Sequence, residues 1–97
     1  VFIFGDILEL DSYGEEIHKE IGQIFLDVGI DVLVTVGELS RYTHDIVFDG
    51  EKEAHHFNNN NELIKEIDDI IDHGDTVLVK GSNAMKLIDV VDYLKES

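Results

Sequence analysis

The feature that most constrains this chain is a regular alternation between two periods. Short apolar runs at residues 1–4, 32–36 and 76–80 take turns with segments whose apolar residues recur every three or four positions. Runs such as Val32-Leu33-Val34-Thr35-Val36 and Val77-Leu78-Val79 suit strands covered on both faces. His55-His56-Phe57 is short enough to read as a further strand between them. The resulting order is β-α-β-α-β-α-β-α. Such an order predicts an α/β fold with parallel strands, right-handed crossovers and helices on both faces of the sheet.

The helical stripes are explicit. Ile17, Ile21, Ile24, Phe25 and Val28 share one face, with Ser12 and Glu15 at capping-box spacing before them and Gly29 at the end. Leu39, Tyr42, Thr43, Ile46 and Val47 mark a shorter helix closed by Gly50. Leu63, Ile64, Ile67, Ile70 and Ile71 make the clearest stripe, preceded by Asn59 and Glu62 three apart and ended by Gly74. A last helix carries Ala84, Leu87, Ile88, Val91 and Leu94 inward. The chain has no proline, so glycine, asparagine and aspartate supply all the punctuation.

Three of the strands end alike, at Phe4-Gly5-Asp6, Val36-Gly37-Glu38 and Lys80-Gly81-Ser82. Open α/β sheets bind ligands at the carboxyl edge of their strands, so these turns form the candidate surface. The stretch Val77-Leu78-Val79-Lys80-Gly81-Ser82-Asn83-Ala84-Met85-Lys86 reads as a strand, a glycine turn and a helix capped by Ser82 or Asn83. A helix N-terminus beside Lys80 would hold a carboxylate or phosphate. The plain alternative is an ordinary βα turn with a surface lysine.

Other chemistries find little support. A net charge of −15 in 97 residues repels nucleic acid and anionic lipid. The chain has no cysteine, and no apolar run approaches the length of a membrane span. Neither a G-x-G-x-x-G fingerprint nor a P-loop is present. The five histidines do not form a metal set: His55 and His56 point to opposite faces of a strand, and His44 and His73 fall on separate helices. His18, early in its helix, reads from spacing alone as a surface histidine. Asp6 and Glu9 lie at the edge, where acids can meet a cation or amine. The chain opens inside an apolar run, and the expectation is a piece of a longer protein.

Taken together, three segments resemble the Mur ligases. Phe4-Gly5-Asp6-Ile7-Leu8-Glu9-Leu10, followed by His18 and Ile21-Gly22, is similar to that family's GDM-ELG…H…VG segment. Residues 29–37 resemble its GID-(hydrophobic)-VG strand, and Val79-Lys80-Gly81-Ser82-Asn83-Ala84-Met85 resembles its VKGSRxMxME turn. The segments span nearly the whole chain in the family's order. Two positions depart from the pattern: Leu10-Asp11 stands for Leu-Gly, and Asn83 stands where arginine is common.

The resemblance implies the carboxy-terminal, Rossmann-like domain of a three-domain, ATP-dependent, amide-forming enzyme of cytoplasmic peptidoglycan synthesis. It implies a three-layer domain with a mainly parallel sheet, lacking its first strand and helix, with a sheet neighbour of residues 1–4 left uncovered. The implied substrates are UDP-N-acetylmuramoyl-tripeptide, activated as an acyl phosphate, and D-alanyl-D-alanine. ATP and magnesium would serve the full-length enzyme and sit on the missing central domain, with none bound by this piece alone. Residue by residue, Lys80, Gly81, Ser82 and Asn83 correspond to the loop facing the amine substrate and its carboxylate. Asp6, Glu9 and His18 correspond to a motif with a role in positioning or domain closure. The alternative from another class is a stand-alone α/β binding or regulatory module without catalysis. A receiver-like or flavodoxin-like domain ranks lower, because only Asp6 sits at a suitable edge.

Overall fold

A computed structural model describes residues 1–72, 74–82 and 85–96. The alternation resolves into β1 (Phe2–Gly5), α1 (Gly14–Val28), β2 (Val32–Val36), α2 (Ser40–Asp49), β3 (Glu53–Phe57), α3 (Asn60–Ile70), β4 (Leu78–Lys80) and α4 (Ile88–Glu96). The four strands form one sheet in the order β3-β2-β1-β4, and every pairing is parallel. The chain steps outward from β1 through β2 to β3, then crosses back to place β4 on the other side of β1.

Each strand sends alternate side chains to opposite faces, which divides the core in two. Ile3, Val34, Val36 and Phe57 pack under α3 and the α4 segment, against Leu63, Ile67, Leu87 and Val90. Phe4 and Leu33 pack on the other face against Phe25 of α1 and Val47 of α2. Phe25 is the hub there, with its ring 4.9 Å from Phe2 and 5.6 Å, edge-on, from Phe4. The two helices on this face close tightly because α1 offers Gly22: a Cβ there would stand 2.8 Å from Ile46 Cβ.

Several local expectations hold. Gly29 ends α1 in the left-handed conformation, with φ 76°. Asn59 caps α3 by accepting from the Glu62 N–H at 2.9 Å. The stripe of α3 faces inward through Leu63 and Ile67.

Others are corrected by tertiary context. No capping box forms at Ser12. Residues Asp11–Tyr13 make a 3-10 turn, Tyr13 takes the N-cap position without a side-chain bond, and Glu15 pairs with Lys19 at 2.9 Å. The inner face of α1 runs through His18, Gly22 and Phe25, while Ile24 and Val28 are 55% and 68% exposed. Helix α3 stops at Ile70, because Ile71 is already extended, so Gly74 lies beyond the helix end. The fourth strand shrinks to three residues, and Leu78 is 58% exposed at its outer edge. Strand β1 is flanked on both sides, by β2 and β4, and the outer strands are β3 and β4, so one sheet neighbour of residues 1–4 lies at an open edge. Helix α4 begins at Ile88, well past Ser82, and turns Val90 inward while Ile88 faces out; Leu87, just before it, is also buried. Asn83, Ala84 and His73 lie outside the described residues.

Removing the aromatic hub tests this arrangement. Phe25→Ala should cost about 3–5 kcal/mol, because a buried ring is lost and the surrounding side chains collapse only in part. Chemical denaturation would show the change as a large fall in midpoint. A loss below about 1 kcal/mol would mean that the α1 layer does not rest on this ring.

Candidate functional site

The strand order reverses between β1 and β4, and a crevice of an α/β sheet opens at such a reversal. Here the two turns that leave those strands are bonded to each other. Ser82 N–H donates to the Asp6 carbonyl at 3.0 Å, and Leu8 N–H donates to Ser82 Oγ at 2.9 Å. The backbones come this close because both turns carry glycine. A Cβ at Gly81 would stand 3.1 Å from Gly5 Cα and 2.9 Å from Leu87 Cδ1. A shallow pocket of about 150 Å³ opens beside the turn, lined by Gly81, Ser82, Lys86 and Ile88 among others.

Asp6 is buried, and its charge has a local cause for being there. Its carboxylate accepts from Leu39 N–H at 3.0 Å and Ser40 N–H at 2.6 Å, the free amides that open α2. It therefore caps a helix far away in sequence. Gly37 makes room for it. With φ at 113°, a side chain there would be strained, and its Cβ would meet Asp6 Oδ1 at 2.5 Å.

His18 is fully buried, which corrects the surface reading. Its Nδ1 lies 2.6 Å from the Gly14 carbonyl, and its Nε2 accepts from Ile7 N–H at 3.1 Å. A carbonyl can only accept, so the proton sits on Nδ1 and the ring is neutral. The imidazole thus bridges the first turn of α1 to the loop after Asp6. Thr43 of α2 closes the same seam by donating to the His18 carbonyl at 2.6 Å.

The remaining candidates differ in placement. Lys80 is exposed at the end of β4, in register with Phe4. Gly81 and Ser82 are half-buried at the crevice, Glu9 is exposed on the loop above it, and Asn83 is not described. The reversal therefore brings Asp6, Leu8 and Ser82 into direct contact and sets His18 one residue away, behind Ile7. Helix α4 starts at Ile88, and the side-chain donors described at the turn are Lys80 Nζ and the Ser82 hydroxyl. Sequence reasoning missed Asn60. Its amide reaches the Met85 and Lys86 carbonyls at 2.7 and 3.1 Å. The one signal was a run of four asparagines where a single cap would serve.

Among the described residues, no group of three or more metal-capable side chains comes together. His56 is set apart from the crevice. Its Nδ1 lies 2.7 Å from Thr35 Oγ1, and its ring lies 5.7 Å from that of His44. Burial, with Arg41 and His44 adding repulsion, holds this imidazole below its ordinary value of 6.5.

A four-stranded parallel sheet, wound both ways from its first strand and joined by two bonded turns at the reversal, defines an α/β domain whose candidate surface is the carboxyl edge. Comparison with known proteins makes the class specific. The family described as "Mur ligase, glutamate ligase domain" matches residues 1–83, and the chain belongs to that family. Among curated relatives, the UDP-N-acetylmuramoyl-tripeptide–D-alanyl-D-alanine ligase of Rickettsia prowazekii (strain Madrid E) is 33% identical over 94% of this chain and 20% of its own length. The enzyme of the same name from Bacillus subtilis (strain 168) is 31% identical over 100% of this chain and 22% of its own. A crystal structure of MurF from Acinetobacter baumannii superposes with a TM-score of 0.84 at 20% identity, over 99% of this chain and 22% of that one, which shows a shared fold. The chain spans about a fifth of the length of the curated relatives it matches.

Two outcomes follow from this geometry. Asp6→Ala leaves the Leu39 and Ser40 amides buried without a partner and should cost about 2–4 kcal/mol, read from the denaturation midpoint. Loss below 0.5 kcal/mol would mean that solvent satisfies them. His56 sets a pH dependence. The unfolded chain takes up a proton near pH 6.5 that the folded chain resists, so its contribution is complete above 6.5 and shrinks as pH falls below it. His56→Gln should flatten the stability profile below about pH 6.5, and an unchanged slope would refute the assignment.

Proposed function

We propose that this chain is the carboxy-terminal domain of an enzyme that adds D-alanyl-D-alanine to UDP-N-acetylmuramoyl-tripeptide in peptidoglycan synthesis. The observation that carries the reading is the agreement of four relatives. They bear that ligase's name at 31–33% identity over 94–100% of this chain. The reaction joins an amine to a carboxyl group activated as an acyl phosphate, and it belongs in the cytoplasm, where ATP is supplied. The net charge of −15 supports a partner set without nucleic acid. No helix among the described residues is long and apolar enough to cross a membrane.

ATP and magnesium do not fit the residues of this chain. It carries no P-loop, and its described residues offer no metal-ligand group. We place both on the remainder of the longer protein and route no step through them here. The domain's own work is to bind and orient the amine substrate and to exclude water when it closes over the activated carboxyl group.

Lys80 and Ser82 are the donors proposed for the substrate carboxylate. The Ser82 hydroxyl accepts from Leu8 N–H, which leaves its own proton to donate outward. Lys80 adds a solvent-facing positive charge in a strongly acidic chain. Asp6 and His18 hold the turn in place from behind, through α2 and Ile7, and Glu9 stands on the outer loop. Asn83 belongs to the proposed loop by sequence.

We also propose that the longer protein supplies a strand and a helix ahead of residue 1. The exposed Leu78 at the open edge of β4 and the bare Ile24 and Val28 on α1 support this reading. They are apolar side chains of the kind that further elements bury.

The test is kinetic, in the full-length ligase. Lys80→Ala and Ser82→Ala should each raise the KM for D-alanyl-D-alanine about ten- to a hundredfold, the range of a lost charge-assisted hydrogen bond. The KM for ATP should stay within about twofold. Unchanged kinetics with D-alanyl-D-alanine would remove the site.

A further inference from the structure

Asn60 does something that its place in the chain does not require. It occupies the first position of α3, but Asn59 already performs the capping, through Oδ1 on the Glu62 N–H at 2.9 Å. The Asn60 side chain instead leaves its helix and crosses to the connection between β4 and α4. There Nδ2 donates to the Met85 carbonyl at 2.7 Å and to the Lys86 carbonyl at 3.1 Å. Both amide hydrogens are used. The orientation is fixed as well, because the reverse flip would set an oxygen against two carbonyl oxygens.

The residues it holds are not relaxed ones. Lys86 has φ of 52°, a left-handed conformation that a long side chain rarely adopts, and it persists only where neighbours over-determine it. Met85 in turn donates its N–H to the Ser82 carbonyl at 2.9 Å. A bonded path therefore runs from α3 through Asn60, Met85 and Ser82 to Asp6 and Leu8. Ser82 is clamped from both sides, by the β1 turn through Leu8 and Asp6 and by α3 through Asn60.

The other end of the amide argues against a purely stabilising role. Asn60 Oδ1 is buried and has no hydrogen-bond partner, so the side chain carries a desolvation cost that offsets its two donated bonds. A polar group kept under those terms fixes geometry more than it adds stability.

We propose that Asn60 is a positioning residue for the amine substrate, acting through the Met85 and Lys86 carbonyls to hold the Ser82 hydroxyl at the crevice. The inference rests on the reading of Lys80 and Ser82 as the carboxylate donors. It goes beyond that reading by assigning specificity to a residue on a different helix, outside every motif in the chain.

The test uses the full-length ligase and Asn60→Asp. The replacement has the same shape, lacks the amide donors and suits the first turn of a helix, so a defect cannot be laid to α3. Its KM for D-alanyl-D-alanine should rise about tenfold, with the KM for ATP unchanged. Asn60→Ala should behave alike, and Asn60→Ser, which keeps one donor, should recover part of the loss. A double-mutant cycle supplies the sharper readout. In a Ser82→Ala background Asn60→Asp should add nothing, whereas a full multiplicative effect would overturn action through Ser82. If Ser82→Ala raises KM and Asn60→Asp does not, the positioning role fails and the site stands. If neither does, the site reading fails first and the role of Asn60 falls with it.

Discussion

Two backbone amides at the start of α2 end on the carboxylate of Asp6, and the geometry of the carboxyl edge depends on that contact. A parallel sheet leaves the helix starts and the strand ends on the same side, with donors and carbonyls that have no partner in the regular ladder. Asp6 answers part of that need in three directions. Its side chain takes the α2 amides, its carbonyl takes Ser82 N–H, and the next residue, Ile7, is held by His18. Gly37 is shaped around it, since neither the backbone angle nor the space beside the carboxylate suits a side chain. One acidic residue thereby ties β1, α2 and the β4 turn into a single surface.

Much of this molecule was legible in the sequence, and the failures share a physical origin. The pattern of the sequence placed four strands and four helices in their observed order, because burial on a sheet face or a helix stripe leaves a local signature. Asn59 and Gly29 were readable for the same reason, as their partners lie within five residues. His18 was not. A histidine on the inner face of a helix looks out of place until a loop eleven residues away offers an N–H to its ring. Ser12 was misread because the Asp11–Tyr13 turn intervenes before α1 begins. The fourth strand and last helix were drawn too long, because apolar residues there suggested a covered strand where the sheet has an edge.

The same distinction applies to the site. The glycine turns were visible as motifs, but the use of their polar groups was not. Ser82 looked like a helix cap and became an acceptor for Leu8, with its amide spent on Asp6. Lys80 kept its exposure at the end of β4, and helix α4 begins at Ile88.

The pairing of β4 has a mechanical consequence. Its register with β1 runs over three residues, against four for β1 with β2 and five for β2 with β3. On the other side of β1, the ladders are longer and both faces carry helices. The strand that bears Lys80 is short and is fastened just beyond its end by the Ser82 and Leu8 bonds. With so short a ladder, those turn bonds make up a larger share of what fastens this strand than they would on either inner strand.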